Sequence, residues 1–110
     1  MRIALDYDRT YTADPAFWDY FIGHAFMCGH DVRIVTIRDE RHDRTAPLIA
    51  LEERLPVIYT RGVAKAFWCL HHAQWVPDIY IDDKPETITH NSETTPADLA
   101  AWRAERGEPA

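Results

Sequence analysis

Cysteine is scarce: Cys28 and Cys69 are the only two, and they stand in no C-x-x-C spacing. That argues against a disulfide framework and against a cysteine zinc site. Both thiols fall in apolar helical patterns, so two buried, reduced side chains are expected. No apolar run approaches the roughly 20 residues that span a bilayer. The first residues pass directly into a strand pattern without a basic-then-apolar leader, and a cytoplasmic protein is expected. Basic residues are the scarcer sign, 12 against 18 acidic for a formal charge of −6, which argues against generic nucleic-acid binding. A local basic patch stays open, and a bound cation would neutralise part of the acid. Repeats, low-complexity tracts and internal linkers are also lacking. The 110 residues therefore read as one domain, with its core in residues 1–88 and a C-terminal helix over about 96–106.

What is present alternates between short β-branched runs and amphipathic segments. Arg2 to Leu5 reads as a first strand. Asp14-Pro15 opens a helix, with Asp14 as N-cap, and Phe17, Trp18, Phe21, Ile22, Ala25 and Phe26 form a stripe expected to face a sheet. Val32 to Thr36 is a second strand, followed by a charged loop over 37–46. Pro47 to Leu55 reads as a helix with Leu48, Leu51 and Leu55 inward. Pro56 to Thr60 is a third strand. A helix follows from Gly62 through Gln74, with Val63, Ala66, Phe67, Leu70 and Ala73 expected on its inner side. Asp78 to Ile81 is a fourth strand, 86–93 shows no clear pattern, and Thr95-Pro96 caps the last helix, stopped by Gly107. Alternating strands and helices imply an α/β domain, its parallel sheet wound by right-handed crossovers.

Polar residues recur wherever a strand ends. Asp6, Asp8 and Thr10 follow the first, Thr36 closes the second, Thr60 with nearby Lys65 follows the third, and Asp82-Asp83 follows the fourth. In an open parallel sheet the carboxyl edge is where ligands bind. Carboxylates crowded there repel by several kcal/mol at intermediate dielectric unless a cation lies between them, and hard divalent ions with oxygen ligands are the usual answer. One D-x-D is weak evidence, and an ordinary Asp-rich turn explains it equally well. Acid, hydroxyl, lysine and acid pair arriving in order after successive strands are far less common. That set suits phosphoryl transfer, which needs a nucleophile, a neutralising cation, donors for the phosphoryl oxygens and a proton shuttle.

These residues resemble the motifs of the haloacid-dehalogenase-like phosphohydrolases. An apolar strand ending D-x-D-x-T stands as Ile3-Ala4-Leu5-Asp6-Tyr7-Asp8-Arg9-Thr10, one ending in Thr as Ile34-Val35-Thr36, and one ending D-D as Ile79-Tyr80-Ile81-Asp82-Asp83. Lys65 matches the lysine near the start of a later helix. The likeness covers residues 1–88, and the run through Trp18 resembles short members found in phage and bacterial genomes. It implies a three-layer Rossmann-like fold with strand order 4-1-2-3 and Mg²⁺-dependent hydrolysis of a phosphate monoester. By position, Asp6 would be the nucleophile and Asp8 the acid and base. Asp6, the Asp8 carbonyl, Asp82 and Asp83 would hold Mg²⁺, with Asp83 preferred as the direct ligand. Thr36 and Lys65 would bind the phosphoryl group and Thr10 would support the loop. Arg9 replaces the glycine common after the second aspartate, leaving its amide and guanidinium for phosphate or substrate, while Arg61 competes with Lys65 for the lysine role. A phosphate- or nucleotide-binding module without turnover is the alternative.

Arg38, Arg41, His42 and Arg44 follow the second strand and offer a second phosphate or nucleotide contact; a solvated loop balanced by Asp39, Glu40 and Asp43 is the plainer reading, except for Arg38. His71-His72 reads as helix surface. The intervals 10–29 and 36–65 hold no spare residues for the inserted cap domain often seen in the resembled family, so an open site is expected. A large substrate such as a nucleic-acid end, or a second subunit meeting at Trp75 or Trp102, would then have to cover it.

Overall fold

Residues 1–92 are described by the computed structural model. The expected helix over 96–106, with Trp102 and Gly107, lies outside them. Four strands form one parallel sheet: β1 (Arg2–Leu5), β2 (Asp31–Thr36), β3 (Val57–Tyr59) and β4 (Ile79–Ile81), in the spatial order β3-β2-β1-β4. β1 is therefore flanked on both sides, with Leu5 level with Ile34 of β2 and with Ile81 of β4. That register brings the residue after each strand to one edge of the sheet. The chain switches direction across the sheet beside β1, the place where such sheets form crevices.

Successive β1 side chains point to opposite faces. Ile3 and Leu5 pack with Val32 and Ile34 under α1 (Pro15–Met27) and α2 (Ala46–Glu52), joined by Ile22, Ala25, Leu48 and Leu51. Asp14 caps α1 through a hydrogen bond from the Phe17 amide (3.3 Å), and Pro15 occupies a position whose amide has no helical partner. The expected stripe on α1 is too wide, because Phe17 and Phe26 are exposed and Trp18 and Phe21 only half-buried. A helix contributes a limited arc to a sheet, and six large residues exceed it.

The opposite face is thinner, with Ala4, Val35, Cys69 and Trp75 at its centre. Here the expected helix differs most. It is a short α3 (Lys65–Trp68) continued by a π-helical segment, Cys69–Ala73, and ended by Gln74 in the left-handed conformation, φ 51°. Its inner side carries Lys65 and Cys69, one turn apart, while Phe67 and Leu70 face outward. The wider π turn lets the Trp75 amide reach the Cys69 carbonyl (2.9 Å) and delivers the indole beneath the sheet. Trp75 is thus core rather than an exposed contact residue: it donates to Asp31 (3.0 Å) and lies under the Arg33 guanidinium, 4.7 Å from the ring centroid. Of the two thiols, Cys69 is buried as expected but Cys28, just past α1, is exposed. The patternless stretch after β4 contains a short α4 (Glu86–Thr89).

This packing reverses the ranking that apolar character alone gives along α3. Trp75→Ala is expected to cost about 3–5 kcal/mol, the usual penalty for emptying a large aromatic site. Leu70→Ala is expected to stay within about 0.5 kcal/mol. Urea unfolding of the two variants checks this, and equal losses would contradict the observed phase of the helix.

Candidate functional site

Asp6 is held at the sheet edge by its own backbone. Its amide still pairs with the Ile81 carbonyl (2.9 Å), and its carbonyl accepts from the Tyr11 amide as the chain folds back. The turn between them requires Arg9 at φ 63°, a left-handed conformation that glycine adopts without penalty and other residues do not. The Arg9 amide donates to Thr12 (2.9 Å), so the structure commits it to closing the turn rather than leaving it for a phosphate. This turn also swings Thr10 back over the edge. Its hydroxyl lies 3.1 Å from Asp6 Oδ2 and 3.3 Å from Asp83 Oδ1, tying β1 to β4.

Lys65 reaches the same place from the other side. Its side chain is almost wholly enclosed, and Nζ donates to Asp6 Oδ1 (2.8 Å) and to Asp82 Oδ2 (2.5 Å). Asp82 is further occupied by the Lys84 amide (3.0 Å) and the Thr87 hydroxyl (3.4 Å). Asp83 keeps more of its carboxylate available, with Thr10 its one side-chain donor among the described residues. One oxygen from each of Asp6, Asp82 and Asp83 lies within 4.8 Å of the others. In an octahedral shell at about 2.1 Å, ligand oxygens stand about 3 Å apart when adjacent and about 4 Å when opposite. The three carboxylates thus suit a small hard cation with little adjustment, and all-oxygen donors favour that type over softer metals.

Asp8 belongs to a second cluster. Both its oxygens accept from Arg38, Nε at 2.9 Å and Nη2 at 2.5 Å, a bidentate pair in which Arg38 is 1 % exposed. Arg38 also donates to the Asp43 carbonyl (3.3 Å) and stacks 4.9 Å from the Tyr7 ring centroid. Thr36 is fully enclosed at the end of β2, its hydroxyl accepting from the Arg38 amide (3.3 Å). The structure therefore brings together Asp6, Thr10, Lys65, Asp82 and Asp83 as one group, and Asp8, Thr36 and Arg38 as its neighbour.

Other candidates go elsewhere. Arg41 turns back on Asp39 (2.7 Å) with its side chain largely exposed, and holds that carboxyl down at about 2 through its own hydrogen bonds. Arg61 pairs with Glu40 and covers Trp68, so it does not share the place of Lys65. The expected solvated loop is instead half interior, since Arg38, Asp39, Asp43 and Thr45 are all buried. His71 and His72 lie on the surface against Phe67 and Trp68. Sequence reasoning missed Thr87, whose hydroxyl is buried on Asp82, and gave no hint that Arg38 bonds a residue 30 positions away. Comparison with protein-family models, with curated proteins and with solved structures finds no match for this chain.

Burial pushes the Asp6 carboxyl up to about 8, against the pull of the Lys65 charge and with the push of Asp82. An unfolded aspartate loses its proton near pH 4, so between about pH 4 and about pH 8 the folded chain binds more protons here than the unfolded chain. Stability then falls as pH rises through that window, as far as this group is concerned. Measured with chelator present, the stability difference between wild type and Asp6→Asn is expected to shrink or reverse from pH 4 to pH 8. A flat difference rejects the assignment. Lys65→Met, which leaves the buried Asp6 and Asp82 side chains without the ammonium they share, is expected to cost about 3–5 kcal/mol at neutral pH.

Proposed function

We propose that the chain is a haloacid-dehalogenase-like phosphohydrolase that cleaves phosphate monoesters through an aspartyl-phosphate, with Mg²⁺ as its cofactor. The observation that carries this reading is the group of Asp6, Lys65, Asp82 and Asp83, its first three side chains enclosed and Asp83 open to solvent: a nucleophilic carboxylate, a fixed ammonium and two further acids at one sheet edge. In this scheme one Asp6 oxygen attacks phosphorus and the ester P–O bond breaks. Asp8 gives its proton to the departing oxygen, then takes one from the water that attacks the phosphorus and frees inorganic phosphate. Lys65 and Thr36 hold the phosphoryl oxygens. Asp6 and Asp83, with Asp82 behind them, would hold the Mg²⁺, which supplies positive charge to the phosphoryl group and to the crowded acids.

Arg38 has a defined part in this reading. While both Asp8 oxygens accept from the guanidinium, neither is free to hand a proton to a leaving group. A dianionic phosphate entering the edge competes for the same fork, and Asp8, once released, takes from solvent the proton that it passes to the departing oxygen. The same contact also favours a second reading, a phosphate- or nucleotide-binding module in which Asp8 stays clamped and no turnover occurs.

Phosphate release from a panel of phosphometabolites, nucleotides and oligonucleotide ends, with Mg²⁺ and with chelator, separates the two. The phosphatase reading expects Mg²⁺-dependent turnover that Asp6→Asn abolishes and Asp8→Asn lowers by about 10²–10⁴-fold. Wild-type rates in Asp6→Asn would overturn the mechanism, and an inert protein that binds phosphate and Mg²⁺ would establish the module. Millimolar Mg²⁺ is further expected to raise the melting temperature by mass action, with Na⁺ at equal ionic strength ineffective.

A further inference from the structure

α1 is apolar on both its inner and its outer side. Ile22 and Ala25 hold the inner side in the core, with Trp18 and Phe21 half-buried beside them. The outer side carries Phe17, Tyr20, His24 and Met27, and the first, second and fourth of these are 56 %, 76 % and 85 % exposed. Asp19 is the only charged side chain of the helix, and it is turned to Arg54 (2.9 Å) and the Tyr11 hydroxyl (2.7 Å). A surface helix ordinarily presents charged and polar residues to water, and one that is hydrophobic all round belongs to an interior. With Phe26 the outer residues offer roughly 500 Å² of accessible surface, since a large aromatic side chain carries about 150–250 Å². A patch of that size marks a contact surface. It is also most of the roughly 800 Å² that each partner brings to a stable interface.

The spacing says what covers this face. Positions 17, 20, 24 and 27 stand three, four and three apart, the seam by which two helices interlock their side chains. The set is symmetrical about Ile22. When a second α1 runs antiparallel across a two-fold axis at that level, Phe17 faces Met27 of the other copy and Tyr20 faces its His24. Thioether on aromatic ring and ring on ring are both favourable contacts. Tyr20 and His24 already lie parallel within one copy, planes within 4° and centroids 6.2 Å apart, which gives the contact a flat centre. Gly23 has nothing within 4 Å of where a Cβ would stand, so two backbones can approach closely there.

Charge narrows the choice of occupant. Two chains of net charge −6 repel each other except through a face free of acids, and the outer side of α1 is such a face. It offers a charged peptide or a nucleic acid nothing to pair with, and α1 has no Lys or Arg to meet lipid headgroups. We infer that the protein forms a two-fold dimer in which α1 packs against α1 of a second copy, antiparallel about Ile22. No member of the Asp6 group lies on α1, so the dimer stands apart from the phosphatase reading.

Sedimentation equilibrium of the full chain, from about 1 to about 100 µM, tests this. The wild type is expected to dimerise within that range. Tyr20→Lys, which sets a charge beside the axis, is expected to raise the dissociation constant at least about 10-fold with the far-ultraviolet circular dichroism unchanged. Phe17→Glu and Met27→Lys are each expected to be monomeric alone and to form a dimer when mixed, because only the mixture brings opposite charges together across the axis. A wild type that stays monomeric throughout would overturn the inference; a fall in urea midpoint for Tyr20→Lys would then assign the face to a segment of the same chain. A dimer that Tyr20→Lys leaves intact would overturn it by placing the contact elsewhere. A dimer that Tyr20→Lys breaks but the mixture does not restore would overturn the antiparallel pairing.

Discussion

The Lys65 ammonium is the constraint on which the sheet edge depends. It sits with two carboxylates from adjacent strands, Asp6 of the β1 end and Asp82 of the β4 end, in a space almost closed to water. Two buried acids side by side would ordinarily drive each other apart or take up a proton, and one lysine cannot fully answer both. Burial first, and the neighbouring Asp82 charge after it, push the Asp6 carboxyl up to about 8 despite its contact with the ammonium. Fold and chemistry are coupled here, because the strand pairing that aligns Leu5 with Ile81 is also what crowds the acids. A cation entering this group relieves repulsion already built into the fold.

Asp6 and Asp8 are two residues apart and live under different rules. Asp6 faces the Lys65 side of the sheet edge, while Asp8 faces Arg38. Between them Tyr7 points into the core and stacks on Tyr11. A single turn thus serves three environments, which explains the cost accepted at Arg9: only a left-handed residue there lets Thr10 fold back while Tyr7 and Tyr11 stack.

Strands, their order of appearance and the acid-bearing ends were legible in the sequence because they rest on local signals. The cap formed by Asp14 and Pro15, the β-branched run of β2 and the D-D after β4 each carry their meaning within a few residues. The inner face of α3 was not legible, since periodicity assigns inward positions to apolar residues and this face carries Lys65. A lysine is buried there only because acids from β1 and β4, far along the chain, meet it. Trp75 was misread for a related reason: a π turn and a left-handed Gln74 place it, and neither has a propensity signature. Arg38 was set apart from a stretch that otherwise looked solvated, but as a contact for phosphate or substrate; its partners Asp8, Asp43 and Tyr7 were not legible.

The edge is also built from pieces that meet late. The contacts holding it span 59 residues between Asp6 and Lys65 and 73 between Thr10 and Asp83. During synthesis β1 and its acids emerge first, the lysine much later and the closing acid pair last. A chain that ends short of Asp82 therefore has nothing to seat against β1 and no reason to bury Asp6. Closure of such distant contacts makes for slow folding and all-or-none assembly. β4 acts as a latch: until it docks, the nascent chain keeps its carboxylates in water, and the crowded acids of the edge come together only when this strand has joined the sheet.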